Sequence, residues 1–202
     1  MNKIKICGTR RIEDIEVYNR FKIDYAGFIF AKKSPRYIAP HCAAELIRHL
    51  CGIRPVGVFV NSELDEIREI AKLCRLDIIQ LHGDEDAEFV TALKAETGLE
   101  VWRAVKMRGT SSLDIIKSYP SDRFLLDTYT PHDGGSGKSF DWGLTDGLDM
   151  NKIIIAGGLA ADNAADAAKL GAYALDLNSR LETDGFKDAA KIAAAIKAIR
   201  EG

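Results

Sequence analysis

The chain has 202 residues, 47% hydrophobic and 29% charged, with a formal net charge of −2. That length suits one domain with a sizeable core, and the near-neutral balance leaves no electrostatic footprint for nucleic acid or an anionic membrane. No apolar run approaches the ~20 residues that span a bilayer, and residues 1–6 lack the apolar core and small-residue cleavage site of a signal peptide.

The chain alternates short apolar runs with amphipathic stretches. Runs at 4–7, 25–30, 56–60, 77–81, 100–105, 123–127, 152–156 and 173–177 read as strands, because continuous apolar segments suit a parallel sheet buried on both faces. Helical patterns lie between them at 11–21, 40–50, 84–97, 111–118, 161–170 and 187–199. A further helix from Leu64 to Cys74 is read as capped by Ser62, and a turn or two is expected at 141–144. Eight strand–helix units without a linker predict an α/β fold, a single-domain (β/α)8 TIM barrel over residues 1–202. An open doubly wound sheet is the alternative. No GxGxxG follows the first strand, which weakens a dinucleotide-binding version.

In a barrel the chemistry belongs at the C-terminal ends of the strands. Those positions hold Cys7, Arg36, His82, Asp127, Gly157, Gly158, Asp176, Asn178, Ser179 and Arg180. Cys7 reads equally as a small core residue or as a base at the mouth. Cys42, Cys51 and Cys74 fall in helical patterns and read as core. The four cysteines form no CxxC pair and the four histidines no HxH or HExxH, so no metal is expected and a cytoplasmic, reduced protein is. Asp127 ends an apolar strand and precedes a loop with Gly134, Gly135 and Gly137. The residue is a cap, an ion-pair partner or a general acid, and the glycine loop, read as a lid, favours the acid. Gly157-Gly158 and Asn178-Ser179 follow the seventh and eighth strands, the usual place of a phosphate in barrels. Arg36, fixed by Pro35, suits a carboxylate, and His82 is either a polar plug or a ligand contact.

Nine segments in register carry a family resemblance. They are Lys5-Ile6-Cys7-Gly8, Gly27-Phe28-Ile29-Phe30, Ser34-Pro35-Arg36-Tyr37-Ile38, Val56-Gly57-Val58-Phe59-Val60-Asn61, Gln80-Leu81-His82-Gly83, Leu126-Asp127, Gly134-Gly135-Ser136-Gly137, Phe140-Asp141-Trp142 and Ala156-Gly157-Gly158-Leu159. From the first strand to the last helix the chain resembles the phosphoribosylanthranilate isomerases of tryptophan biosynthesis. The resemblance implies an Amadori rearrangement of N-(5-phosphoribosyl)anthranilate to 1-(o-carboxyphenylamino)-1-deoxyribulose 5-phosphate, with no cofactor and no metal. It implies Asp127 as the acid on the ring oxygen, Cys7 as the base and Arg36 as the partner of the anthranilate carboxylate. The remaining substrate contacts are expected from His82, Gly135, Gly157, Gly158, Asp176, Asn178, Ser179 and Arg180. The partner is then a small phosphorylated sugar–anthranilate, with no nucleic acid and no membrane, and the protein a monomer or homodimer.

One departure stands out. The family often has Asp-x-Ser-Ser-Gly-Val-Glu where this chain has Asp176-Leu177-Asn178-Ser179-Arg180-Leu181-Glu182. Arg180 replaces a glycine, so the turn must differ or be strained, and the new guanidinium faces either the phosphate or solvent. Two rival readings remain: a histidine-pathway isomerase with the same chemistry, and a barrel that binds a phosphorylated ligand without turning it over. The first has an acid, not Cys7, at the first strand.

Overall fold

The computed structural model describes residues 2–128 and 139–202. Eight parallel strands close into a barrel in sequence order. They are β1 Lys3–Cys7, β2 Tyr25–Ile29, β3 Arg54–Phe59, β4 Ile78–Leu81, β5 Glu100–Met107, β6 Arg123–Thr128, β7 Ile153–Ile155 and β8 Ala174–Leu177. Helices α1 Ile12–Phe21, α2 Pro40–Ile47, α3 Leu64–Cys74, α4 Ala87–Thr97, α5 Asp114–Ser118, α6 Ala164–Lys169 and α7 Ala189–Glu201 surround it. Closure removes the open-sheet alternative, since β1 pairs with β8 through Lys5 opposite Asp176. The expected lid, with Gly135, lies in residues 129–138, outside the described residues.

Period-two alternation assigns the two faces of each strand. Ile4 and Ile6 of β1 point outward into the helix layer, with Ile79, Leu81, Leu126 and Leu175. Fully burying each such side chain stabilises the fold by about 2 kcal/mol. The inner face is different. Val56, Ile78, Trp102, Leu125 and Ile154 fill the lower barrel. Two residues further along the strands the filling turns polar, with Lys5, Gln80 and Asp176 all buried. The outer shell therefore drives folding, and the upper interior is free to carry chemistry.

Several boundaries differ from the sequence reading, each for a local reason. Ser62 does not cap α3; Glu63 holds the N-cap position without a side-chain bond. Asp86 caps α4 by accepting from the Phe89 N–H at 2.7 Å, which starts that helix later than expected. Residues 161–163 do not join α6, because the Asn163 side chain folds back to bond Ala160 N–H and the Gly158 carbonyl. Residue 187 belongs to a hairpin, β9 Glu182–Thr183 and β10 Phe186–Lys187, and Asp188 caps α7 behind it. Cys74 is buried as read, but Cys42 and Cys51 are exposed, correcting their assignment to the core. α2 is short and turns Ala43 inward, which leaves Cys42 facing solvent and Cys51 in the turn beyond.

Candidate active site

A cavity of about 420 Å³ opens at the C-terminal ends of the strands. Its wall holds Cys7, Arg36, His82, Asp127, Gly157, Gly158, Asp176, Asn178, Ser179 and Arg180 together, joined by Gln80 and Lys106. β1 and β6 deliver Cys7 and Asp127 from inward-facing positions, with β7 and β8 between them.

The floor is an ion pair. Lys5 Nζ donates to both Asp176 oxygens at 2.9 Å, and neither side chain is more than 8% exposed. Burial pulls the Lys5 ammonium down, but Asp176 and Cys7 outweigh it and hold it above its ordinary value. Lys5 sits two residues before Cys7 on the same inner face. Burial pushes the Cys7 thiol above its ordinary value, and Lys5 and Lys187 pull it part of the way back.

Asp127 stands higher, with its side chain about 30% exposed. One oxygen accepts from Thr128 N–H at 2.8 Å, and the other lies 3.5 Å from His82 Nε2. His82 is in turn fixed through Nδ1 by Gln80, 3.1 Å away. The loop that carries His82 is braced from behind. Glu85 accepts from Asn61 N–H and Gly83 N–H, and Arg103 donates to Glu85 and to the Gly83 carbonyl.

The wall after β7 and β8 is built on paired glycines. Gly157 and Gly158 both have positive φ, 84° and 66°. A Cβ at Gly157 would lie 2.2 Å from Thr128 Oγ1, so only glycine fits. Arg180 lies beside them, in a 3₁₀ turn over Ser179–Leu181 and without positive φ. Arg180 therefore occupies this turn without the left-handed backbone that favours glycine. Its guanidinium donates to the Gly158 carbonyl at 2.9 Å and to Asp162 at 2.6 Å.

Beyond β2, and close to Asn178 across Gly8, Arg36 makes a two-pronged pair with Glu182, both bonds 2.8 Å. Lys187, only 2% exposed at its side chain, bonds Glu182 at 2.7 Å and Asn178 Oδ1 at 2.9 Å.

A family model described as N-(5'-phosphoribosyl)anthranilate (PRA) isomerase matches residues 4–198. The chain belongs to this family. It is 43% identical over 207 residues to the N-(5'-phosphoribosyl)anthranilate isomerase of Clostridium acetobutylicum, covering all of this chain and 99% of that one. Among solved structures it resembles the phosphoribosyl anthranilate isomerase of Thermotoga maritima, with a TM-score of 0.89, 33% identity and full coverage of both chains. A phosphoribosyl anthranilate isomerase in complex with reduced 1-(o-carboxyphenylamino)-1-deoxyribulose 5-phosphate superposes at a TM-score of 0.85, with 29% identity and full coverage of both.

Sequence reading missed Lys5, Gln80, Glu182 and Lys187. The first two were open to inference, because Lys5 is two residues from Cys7 and Gln80 two from His82 on one strand face. The hairpin also had a signal. Asp184-Gly185 is the two-residue turn of a tight hairpin, and both residues have positive φ, 51° and 77°.

Proposed function

We propose that the chain performs the reaction of its family, the Amadori rearrangement of N-(5'-phosphoribosyl)anthranilate in tryptophan biosynthesis, with Asp127 as acid and Cys7 as base. Asp127 gives a proton to the furanose ring oxygen while the nitrogen lone pair opens the ring to a Schiff base. The Cys7 thiolate then takes the proton from the sugar carbon next to the imine, and the electron pair moves onto the nitrogen. The enolamine tautomerises to the ketone. The single observation that carries this reading is one cavity lined by a thiol from β1, a carboxylate from β6 and the guanidinium groups of Arg36 and Arg180. Gly157, Gly158, Ser179 and Arg180 suit the phosphate, and Arg36 suits the anthranilate carboxylate. His82 orients Asp127, while Asp176 and Asn178 support the floor; the contact that the resemblance implies at Gly135 lies outside the described residues.

The Cys7 environment fits a base that is needed only once substrate is bound. The protonated Schiff base brings a positive charge beside the thiol, and that charge adds to Lys5 and Lys187 in favouring the thiolate. The whole barrel is taken as one working domain in the cytoplasm, either monomeric or, like the dimeric Thermotoga maritima isomerase from which monomers have been generated, a homodimer. No helix among the described residues is long and apolar enough to cross a membrane. The test is product formation by wild type, Cys7→Ser and Asp127→Asn. Wild-type turnover with loss in both variants supports the assignment. Full activity in both variants refutes these roles, and binding without turnover by wild type refutes the reaction.

A further inference from the structure

We propose that Glu182 is a positioning residue that fixes Arg36 side-on and so aims its other fork at the substrate carboxylate, with Lys187 locking Glu182 in place. This rests on reading Arg36 as the carboxylate's partner. A guanidinium offers two edges in a rigid plane, Nε with Nη2 and Nη1 with Nη2. Glu182 takes the first edge, through Nε to Oε1 and Nη2 to Oε2. No hydrogen bond engages Nη1 among the described residues, while Arg36 lines the cavity. The second edge is therefore the one available to a ligand carboxylate.

The arrangement is built rather than incidental. The Arg36 stem runs so close over Gly8 that a Cβ there would sit 2.7 Å from Arg36 Cδ. Ser34 Oγ accepts from the Arg36 backbone N–H at 3.1 Å. Glu182 is 8% exposed, and the hairpin turn at Asp184-Gly185 brings Lys187 directly opposite it. Lys187 Nζ donates to Glu182 and to both oxygens of Asn178, so its ammonium is spoken for on the floor side.

Charge explains why two cations serve one carboxylate. Glu182 alone would neutralise Arg36 and leave nothing to attract an anion. With Lys187 present the three side chains sum to one positive charge, directed at the cavity by Arg36. Burial pushes the Glu182 carboxyl up, but Arg36 and Lys187 outweigh it and hold it below its ordinary value. Glu182 therefore stays ionised and does not leave Arg36 for solvent, since a buried carboxylate without partners is strongly disfavoured.

The experiment compares two ligands, reduced 1-(o-carboxyphenylamino)-1-deoxyribulose 5-phosphate and the same compound without the carboxyl group. The ratio of their dissociation constants isolates the carboxylate contact from the phosphate contact. Glu182→Gln keeps the shape of the side chain and removes its charge. It should cut the advantage of the carboxyl group by about tenfold, because the fork is no longer held in line. The affinity of the compound without the carboxyl should not change, and kcat should fall less than kcat/KM. Arg36→Met should bring the ratio near one. If Arg36→Met collapses the ratio but Glu182→Gln leaves or raises it, Glu182 only neutralises Arg36 and the inference is wrong. If Arg36→Met leaves the ratio unchanged, the assignment of Arg36 itself fails, and this inference with it. Should Glu182→Gln not fold, Glu182→Asp keeps the charge one methylene short and must show a smaller loss in the same ratio; an unchanged ratio there also overturns the inference.

Discussion

Arg36 and Arg180 face one cavity, and each has a carboxylate partner at hydrogen-bond distance. The partners differ in burial. Glu182 is 8% exposed and also bound by Lys187, whereas Asp162 is 65% exposed. Breaking a buried ion pair by removing one member costs about 3–5 kcal/mol, while an exposed pair is worth about 0–1 kcal/mol. If Arg36 meets the carboxylate and Arg180 the phosphate, as proposed, the carboxylate end is prearranged and the phosphate end can exchange its partner. An arginine that must recognise a planar carboxylate gains from fixed orientation. An arginine that meets a phosphate with several acceptor oxygens needs much less of it.

The largest expected effect separates chemistry from both arginines. Asp127→Asn and Cys7→Ser should each lower kcat by about 10²–10⁴-fold, the usual contribution of one acid or base. Binding of the reduced product analogue should hardly change in either, as measured by calorimetry. Weakened binding would mean that these side chains also hold the ligand, and the division into walls and floor would fail.

A pH profile tests whether the buried end reaches the base. Burial raises the Cys7 thiol above its ordinary value, and Lys187 is one of the charges that lowers it. A raised thiol leaves less thiolate at a given pH, so kcat/KM should climb with pH on the alkaline side until Cys7 ionises. Lys187→Gln removes a positive charge and should move that limb to still higher pH. Arg180→Gly should leave the limb in place. A shift of equal size in both variants would show that the two ends act on Cys7 alike.

Part of the site was already present in the sequence, and the missing part has a physical cause. Cys7, Asp127 and Arg36 were legible because strand ends in a barrel converge on one mouth, so eight apolar runs suffice to bring distant residues together. Lys5 was missed although it shares a strand face with Cys7, and its pairing with Asp176 follows only from the closure of β1 on β8. The partner of Arg36 was not. Glu182 lies 146 positions away, and its place depends on a two-residue hairpin between β8 and α7. Residue 187 followed helical periodicity well enough to be read as the first turn of α7, and only tertiary contacts reveal it as a buried cation. Arg180 shows the opposite case. Its substitution for glycine was visible at once, yet the 3₁₀ turn that accommodates it without positive φ was not.

Replacing Arg180 breaks the comparison at its weaker end. Arg180→Gly should raise KM by up to about fivefold, the scale of a partly exposed ionic contact, and leave kcat nearly unchanged. The increase should shrink at high salt, because exposed charges are screened. A much larger loss, insensitive to salt, would place Arg180 in the same prearranged class as Arg36.

The smallest effect is also the one with the least obvious sign. Asp162→Asn removes the carboxylate that holds Arg180 in the ligand-free site but keeps a side chain of the same shape. If the phosphate displaces Asp162, that competition disappears and KM should fall, by about twofold given the exposure of the pair. If Asp162 instead orients Arg180 as Glu182 orients Arg36, KM should rise. The Arg180 guanidinium holds the Asp162 carboxyl below its ordinary value, so the competition persists at neutral pH and weakens only when acid protonates Asp162. The gain in Asp162→Asn over wild type should therefore diminish on acidification. A KM measured for both proteins at neutral pH reads the sign, and a rise in KM would give the two arginines the same design.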